Sequence, residues 1–293
     1  MKRCLQTLVA TLALALASGP ALADDASALY KQGLALKAQG KTDEAIGKLE
    51  EAVQARAGHG MAWASLGHLY KQKGEHDKAV HAYQQATGRI TKDPVLWSNL
   101  GMALYRADRK EDAVVALEKA CRLDPKNPDI HANLGTIKRQ MGKNKPAIRH
   151  LELSFKYRKD AATANNLGVA YRADNRFKDA TRIIKEAIKL DPNVAEYHFN
   201  LGVAHRRLEE VDKAIAAYQA AADLDPMMSK AFYDLGHMHR LNHDNEKSIQ
   251  AFRSFFELTQ DSDPEAAADA AAQIESMGGK APAPQKKKRK KRK

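Results

Sequence analysis

The apolar positions of this chain keep a single beat. Leu-Gly pairs stand at Leu66-Gly67, Leu100-Gly101, Leu134-Gly135, Leu167-Gly168, Leu201-Gly202 and Leu235-Gly236, in steps of 34, 34, 33, 34 and 34 residues, with Gly33 as a weaker first member. A small residue follows each glycine by twelve positions: Ala45, Ala79, Ala113, Ala147, Ala180, Ala214 and Ser248. Seven positions further stands another (Ala52, Ala86, Ala120, Ser154, Ala187, Ala221), until Phe255 breaks the series. Between these marks run apolar-periodic stretches of helical length, separated by turns such as Gly40-Lys41-Thr42-Asp43 and Gly74-Glu75-His76-Asp77. The pattern predicts one helix-turn-helix unit copied along the chain, each copy burying its apolar face only against its neighbours. The glycine and alanine slots predict two helix backbones in close approach.

The same beat supplies a phase. At about 100° per residue, the fourth, seventh, eighth and eleventh positions of each first helix share one face. Bulky residues (Trp63, Trp97, His131, His198, Phe232), Leu, Gly and Tyr fill it, so it reads as core. The second, fifth, sixth, ninth, twelfth and thirteenth positions fall opposite. The sixth holds Asn99, Asn133, Asn166 and Asn200, followed by Asp234; four of the chain's eleven Asn occupy one slot, although Asn is a mediocre mid-helix residue. Its one acceptor and two donors suit the backbone of an extended peptide. The twelfth position holds Lys37, Lys71, Arg139, Arg172, Arg206 and Arg240, with Arg106 one place later in the third unit. Such a row favours an acidic or phosphorylated partner; equally, cations there complement the helix C-terminus.

The quoted slots, together with Pro125, Pro192 and Pro226 late in their units, resemble the tetratricopeptide repeat over about residues 26–262. Seven units would start near Ala26, Gly60, Pro94, Pro128, Ala161, Ala195 and Ser229. The resemblance implies an all-α, right-handed superhelical solenoid whose first helices line a concave, peptide-gripping groove. The Asn column looks like the asparagine ladder of superhelical members of that family. Residues 263–278, rich in Ala, are expected to form a capping helix over the last exposed face. The single 33-residue step, into the fifth unit, is expected to bend the groove.

Charge changes the picture only once it is located. The formal net charge is +12, yet Lys286, Lys287, Lys288, Arg289, Lys290, Lys291, Arg292 and Lys293 carry eight of it and Lys2 and Arg3 two more, leaving +2 for residues 24–285. The tail follows an Ala-Pro spacer and reads as a tether for an anionic membrane surface or another polyanion. Lys2-Arg3, the apolar run Leu5 to Ala17 and Ala21-Leu22-Ala23 read as a signal peptide cleaved after Ala23, hence a bacterial periplasmic or secreted protein. Cleavage would leave Cys121 as the sole cysteine, expected as a buried apolar filler.

His237, His239 and His243 invite a metal reading, but the register puts them in groove, core and turn, so no metal site is expected. No nucleophile–base pair, phosphate loop or carboxylate pair stands outside the repeat slots. The expected function is a non-enzymatic scaffold for a protein or extended peptide, without cofactor or small-molecule substrate. The rivals are a subunit of a cell-envelope assembly, similar in outline to the tetratricopeptide pilotins, and a polyanion binder working through the tail.

Overall fold

A computed structural model describes residues 19–282 of the chain. The polybasic tail and most of the leader-like segment lie outside the described residues. Fifteen α-helices account for most of what is described. They gather into two compact units that divide between Met141 and Gly142, inside the turn of the fourth repeat. The first unit holds α1 (Gly19–Ala38), α2 (Thr42–Ala55), α3 (Gly60–Gln72), α4 (His76–Arg89), α5 (Pro94–Arg106), α6 (Lys110–Leu123) and α7 (Pro128–Gln140). The second holds α8 (Asn144–Tyr157), α9 (Ala161–Ala173), α10 (Phe177–Leu190), α11 (Ala195–Arg207), α12 (Val211–Leu224), α13 (Ser229–Leu241), α14 (Asn245–Thr259) and α15 (Pro264–Ser276). Helices start where the repeat phase places them. The exception is α1, which begins upstream of Ala26 and carries the expected cleavage point within it.

Six of the repeats close where a glycine meets a large side chain sixteen residues on. A Cβ on Gly33 would lie 2.8 Å from Leu49, on Gly101 2.6 Å from Leu117, on Gly168 2.3 Å from Ile184 and on Gly202 2.6 Å from Tyr218. Real Cβ atoms do not approach that closely, so the slot admits hydrogen alone. The alanines twelve residues after the glycines, such as Ala45, Ala113 and Ala180, are wholly buried. Where Ser248 replaces alanine, its hydroxyl donates to the Gly236 carbonyl at 2.8 Å, which satisfies the buried oxygen.

The turn inside each repeat needs one residue in the left-handed region. That residue is Gly40, Gly74 or Gly142 in three copies, and Asp108, Asn175, Glu209 or His243 in the others, with φ between 56° and 76°. The amide after it closes a six-residue ring, as Lys41 does on the Leu36 carbonyl and Arg176 on that of Tyr171. Asn, Asp and His tolerate this conformation, whereas Glu209 holds it at some cost.

In four repeats the fourth position supplies a ring N–H as well as bulk. Trp63 Nε1 donates to the Ala57 carbonyl and Trp97 Nε1 to that of Thr91, both at 2.9 Å. His131 and His198 do the same through Nε2, to Pro125 at 3.0 Å and Pro192 at 2.9 Å. Each bond ties the turn between repeats to the following first helix, six residues ahead. Ala164 has no ring, and there the Asp160 carboxylate accepts from the Thr163 amide and hydroxyl instead.

At the C-terminal end α15 packs on α14 through Ala267, Ala270 and Ile274. Phe255, the break in the small-residue series, packs with Phe252 and Phe256 into the space that this alanine-rich helix leaves. Cys121 is half-buried rather than buried, and burial pushes its thiol up, away from the reactive thiolate. The glycine contact predicts opposite outcomes at two helical glycines. Gly168→Ala should destabilise the second unit by about 1–3 kcal/mol through overpacking against Ile184. Gly47→Ala, with nothing within 4 Å of the new methyl, should stabilise the first by about 0.5–1 kcal/mol. Urea unfolding followed by circular dichroism reads both signs.

Candidate protein-binding groove

The polar face of the first helices is built from side chains that the core contacts leave pointing outward. In the first unit Asn99 and Asn133 are half-buried, and so are Lys37, Lys71 and Arg139; Arg106 is exposed. Lys37 and Lys71 flank His68, at the ninth position of α3. Burial and then these two ammonium groups hold its imidazole below the ordinary value, which places all three in one electrostatic neighbourhood. Arg139 carries a buried Nε without a hydrogen-bond partner. Among the described residues Lys37, Lys71 and Arg106 have no carboxylate within ion-pair distance. Met61 and Val95, at successive second positions, are 52% and 59% exposed and give this face an apolar component.

In the second unit the two columns meet each other. Arg172 donates to Asn200 Oδ1 at 3.2 Å, and Arg206 donates to Asp234 Oδ1 at 2.8 Å. In both cases the twelfth position of one repeat reaches the sixth of the next, 28 residues on. Arg240 continues the pattern onto Gln273 of α15. Asn200 also donates to Asn165 Oδ1 at 3.0 Å, and Lys230 bridges to Glu196 at 2.6 Å. Asn200 and Asp234 are only 3% and 9% exposed. The expectation that they are exposed rungs free for a partner is therefore corrected. A guanidinium of the preceding repeat already occupies each, and Arg172, Arg206 and Arg240 are correspondingly engaged. Asn166 alone of this unit's column remains half-buried. The doublet Asn165-Asn166 was the one sequence sign of this network.

Two of the larger cavities among the described residues bear on where a partner could sit. One of about 570 Å³ lies among α2, α3 and α4, walled by Val53, Trp63, Leu66, Tyr70 and His81; it opens from the core positions of α3 and so not from the polar face. The other, of about 520 Å³, lies on the polar face at the C-terminal end. Tyr233, Phe255 and Ala266 line it with Lys230 and the carboxylates Asp234, Asp263, Glu265 and Asp269. The cationic character of the polar face thus belongs to the first unit. In the second, carboxylates offset it. His237 stacks edge-on against Tyr233 and Phe252, His239 is buried, and His243 sits in a turn, so the three do not converge.

Comparison with known proteins agrees with this architecture. The family model described as the cilia and flagella-associated protein 70 C-terminal domain matches residues 4–231, and the tetratricopeptide repeat model matches residues 208–267. No curated protein matches the sequence. Among solved structures, MamA from Desulfovibrio magneticus is similar at 23% identity over 58% of this chain and 97% of its own, with a TM-score of 0.55. YrrB, described as a TPR protein with an unusual peptide-binding site, is similar at 21% identity over 66% of this chain and 98% of its own, with a TM-score of 0.56. The C-terminal part of a TPR protein from Cytophaga hutchinsonii reaches a TM-score of 0.68 at 16% identity, over 82% of this chain and 98% of its own. At these identities the likeness speaks to fold alone.

The Arg206–Asp234 pair carries a pH prediction. Burial raises the Asp234 carboxyl above its ordinary value, against the opposing pull of Arg206. A raised folded pKa means that this group's contribution is fully present below the unfolded pKa of about 3.9 and is lost as pH rises through the folded value. Asp234→Asn reproduces the Arg172–Asn200 arrangement without the buried charge. It should stabilise the second unit by about 1 kcal/mol at neutral pH, with the gain shrinking as pH falls toward the carboxylate range. Urea midpoints of both chains across that range give the comparison.

Proposed function

The chain belongs to the tetratricopeptide-repeat family, and on that premise we propose that it is a non-enzymatic scaffold holding an extended, acidic segment of a protein partner along its first helices. The observation that carries this reading is the first unit's polar face. Asn99 and Asn133 keep unspent hydrogen-bonding capacity there, beside Lys37, Lys71 and Arg106, which have no carboxylate of their own. Asn side chains would pair with the partner's backbone, while the cations would speed its capture and favour acidic side chains. In the second unit only Asn166 is comparably available, so a partner crossing that unit would meet a face whose guanidinium groups are already engaged. The unusual peptide-binding site of YrrB is consistent with such a role for this repeat.

Export is part of the same proposal. The leader-like first 23 residues would take the scaffold to the periplasm or outside the cell, and residues 286–293 would tether it to an anionic surface. Replacing Asn99 and Asn133 together by Ala should weaken binding of an acidic peptide, selected on the unmodified chain, by about tenfold or more while leaving helicity unchanged. Fluorescence anisotropy measures the first quantity and far-ultraviolet circular dichroism the second. Unaltered affinity would remove the ladder from the account.

A further inference from the structure

The near-neutral body conceals one strongly basic stretch. Residues 142–190 hold twelve Lys or Arg against five Asp or Glu, although residues 24–285 sum to only +2. Most of the excess lies on second helices, away from the polar face already described. On α8, Lys145, Arg149 and Lys156 stand at i, i+4 and i+11, all exposed. On α10, Lys178, Arg182, Lys185 and Lys189 stand at i, i+4, i+7 and i+11, also exposed. These spacings put each set on one side of its helix, along about 16 Å of axis. The two sets fall in the same slots, 33 residues apart.

Both helices pack on α9 and join it through three-residue loops, so they run in the same direction. Of the seven cations only Arg182 lies within ion-pair distance of a carboxylate among the described residues, Asp179 at 3.4 Å. Glu152 and Glu186 are the carboxylates within the stripes, and Glu152 accepts from the Tyr171 hydroxyl. The stripes stop abruptly. The matching slots of α12 hold Asp212, Ala216, Gln219 and Asp223. A solvated face would show no reason to concentrate charge in two repeats and abandon it in the third.

The ends of the stripes distinguish among polyanions. Tyr157 and Leu190 close α8 and α10 in equivalent slots, 37% and 47% exposed, immediately after Lys156 and Lys189. Leu224 repeats the feature at the end of α12, 40% exposed. Cations on two helices of common direction, each ended by an exposed apolar side chain, match the two layers of a lipid surface: phosphate head groups for the charge and the acyl boundary for Tyr and Leu. A nucleic-acid backbone would meet the charges and leave the leucines in water.

We infer that the outer face of α8 and α10 docks on anionic phospholipid head groups, separately from the tail and from the groove. Co-sedimentation with mixed phosphatidylglycerol–phosphatidylcholine vesicles tests it, in the full chain and again with residues 286–293 removed so that the tail's contribution is subtracted. The shortened chain should bind anionic but not pure phosphatidylcholine vesicles, less tightly as salt rises. The combined variant Lys145→Gln, Arg149→Gln, Lys178→Gln, Arg182→Gln should lose about tenfold or more in vesicle affinity at unchanged helicity. Leu190→Ser should weaken vesicle binding and leave binding to heparin, a polyanion without an apolar layer, as it was. Equal vesicle binding by the four-site variant would overturn the inference, as would failure of the shortened chain to bind. So would a preference of that chain for an RNA oligonucleotide over vesicles at the same salt.

Discussion

Within each unit the fold follows from how closely two helices approach at a recurring glycine. With no Cβ at Gly101 or Gly168, Leu117 or Ile184 can press on the backbone of the first helix. The wholly buried alanine four residues before that large side chain completes the seat. Such a contact allows little rotation of one helix against the other, since close-packed interiors transmit a displacement rather than absorb it. The first helix is thereby held with its Leu and Tyr positions inward. The turn joining the pair must then reverse the chain within a few residues, which is why a left-handed residue recurs there even where a side chain as ill-suited as that of Glu209 must adopt it.

Once the inner face is fixed, the outer positions of neighbouring repeats come into register, and polar side chains meet at regular offsets. What they do then depends on which residues meet. Arg172 finds Asn200 and Arg206 finds Asp234, and each pair satisfies itself. In the first unit, Lys71 and Arg106 sit in the corresponding column with no carboxylate to hold them, and Asn99 and Asn133 keep hydrogen-bonding capacity. On the proposed reading, the columns left unpaired are where a partner binds. The same logic applies on the second helices, where α10 carries four cations along one side and α12 two carboxylates in the matching slots.

Much of this architecture was legible as spacing. The Leu-Gly interval placed most helix starts to within a residue, because a close contact tolerates neither insertion nor drift. The boundary after Met141 was not legible; the 33-residue step that broke the rhythm lies downstream of it. The pairing of Arg172 with Asn200 escaped because it joins two columns that had been considered one at a time, 28 residues apart rather than 34. Trp97 and His131 read as bulk, and only the carbonyls of Thr91 and Pro125 reveal that a ring N–H is their shared property. The basic stripes escaped for a different reason: averaging charge over the whole body cancels two cationic repeats against acidic ones elsewhere.

The central claim is that the repeat phase gives the first unit one partner-facing side, carried by its first helices. A photo-crosslinking residue at Ser98, on the polar face of α5, reports on that side, and one at Val115, exposed on α6, reports on the other. With the bound acidic peptide present, the account predicts a covalent adduct from position 98 and none from position 115. An adduct from position 115 alone would place the partner on the second helices and contradict it.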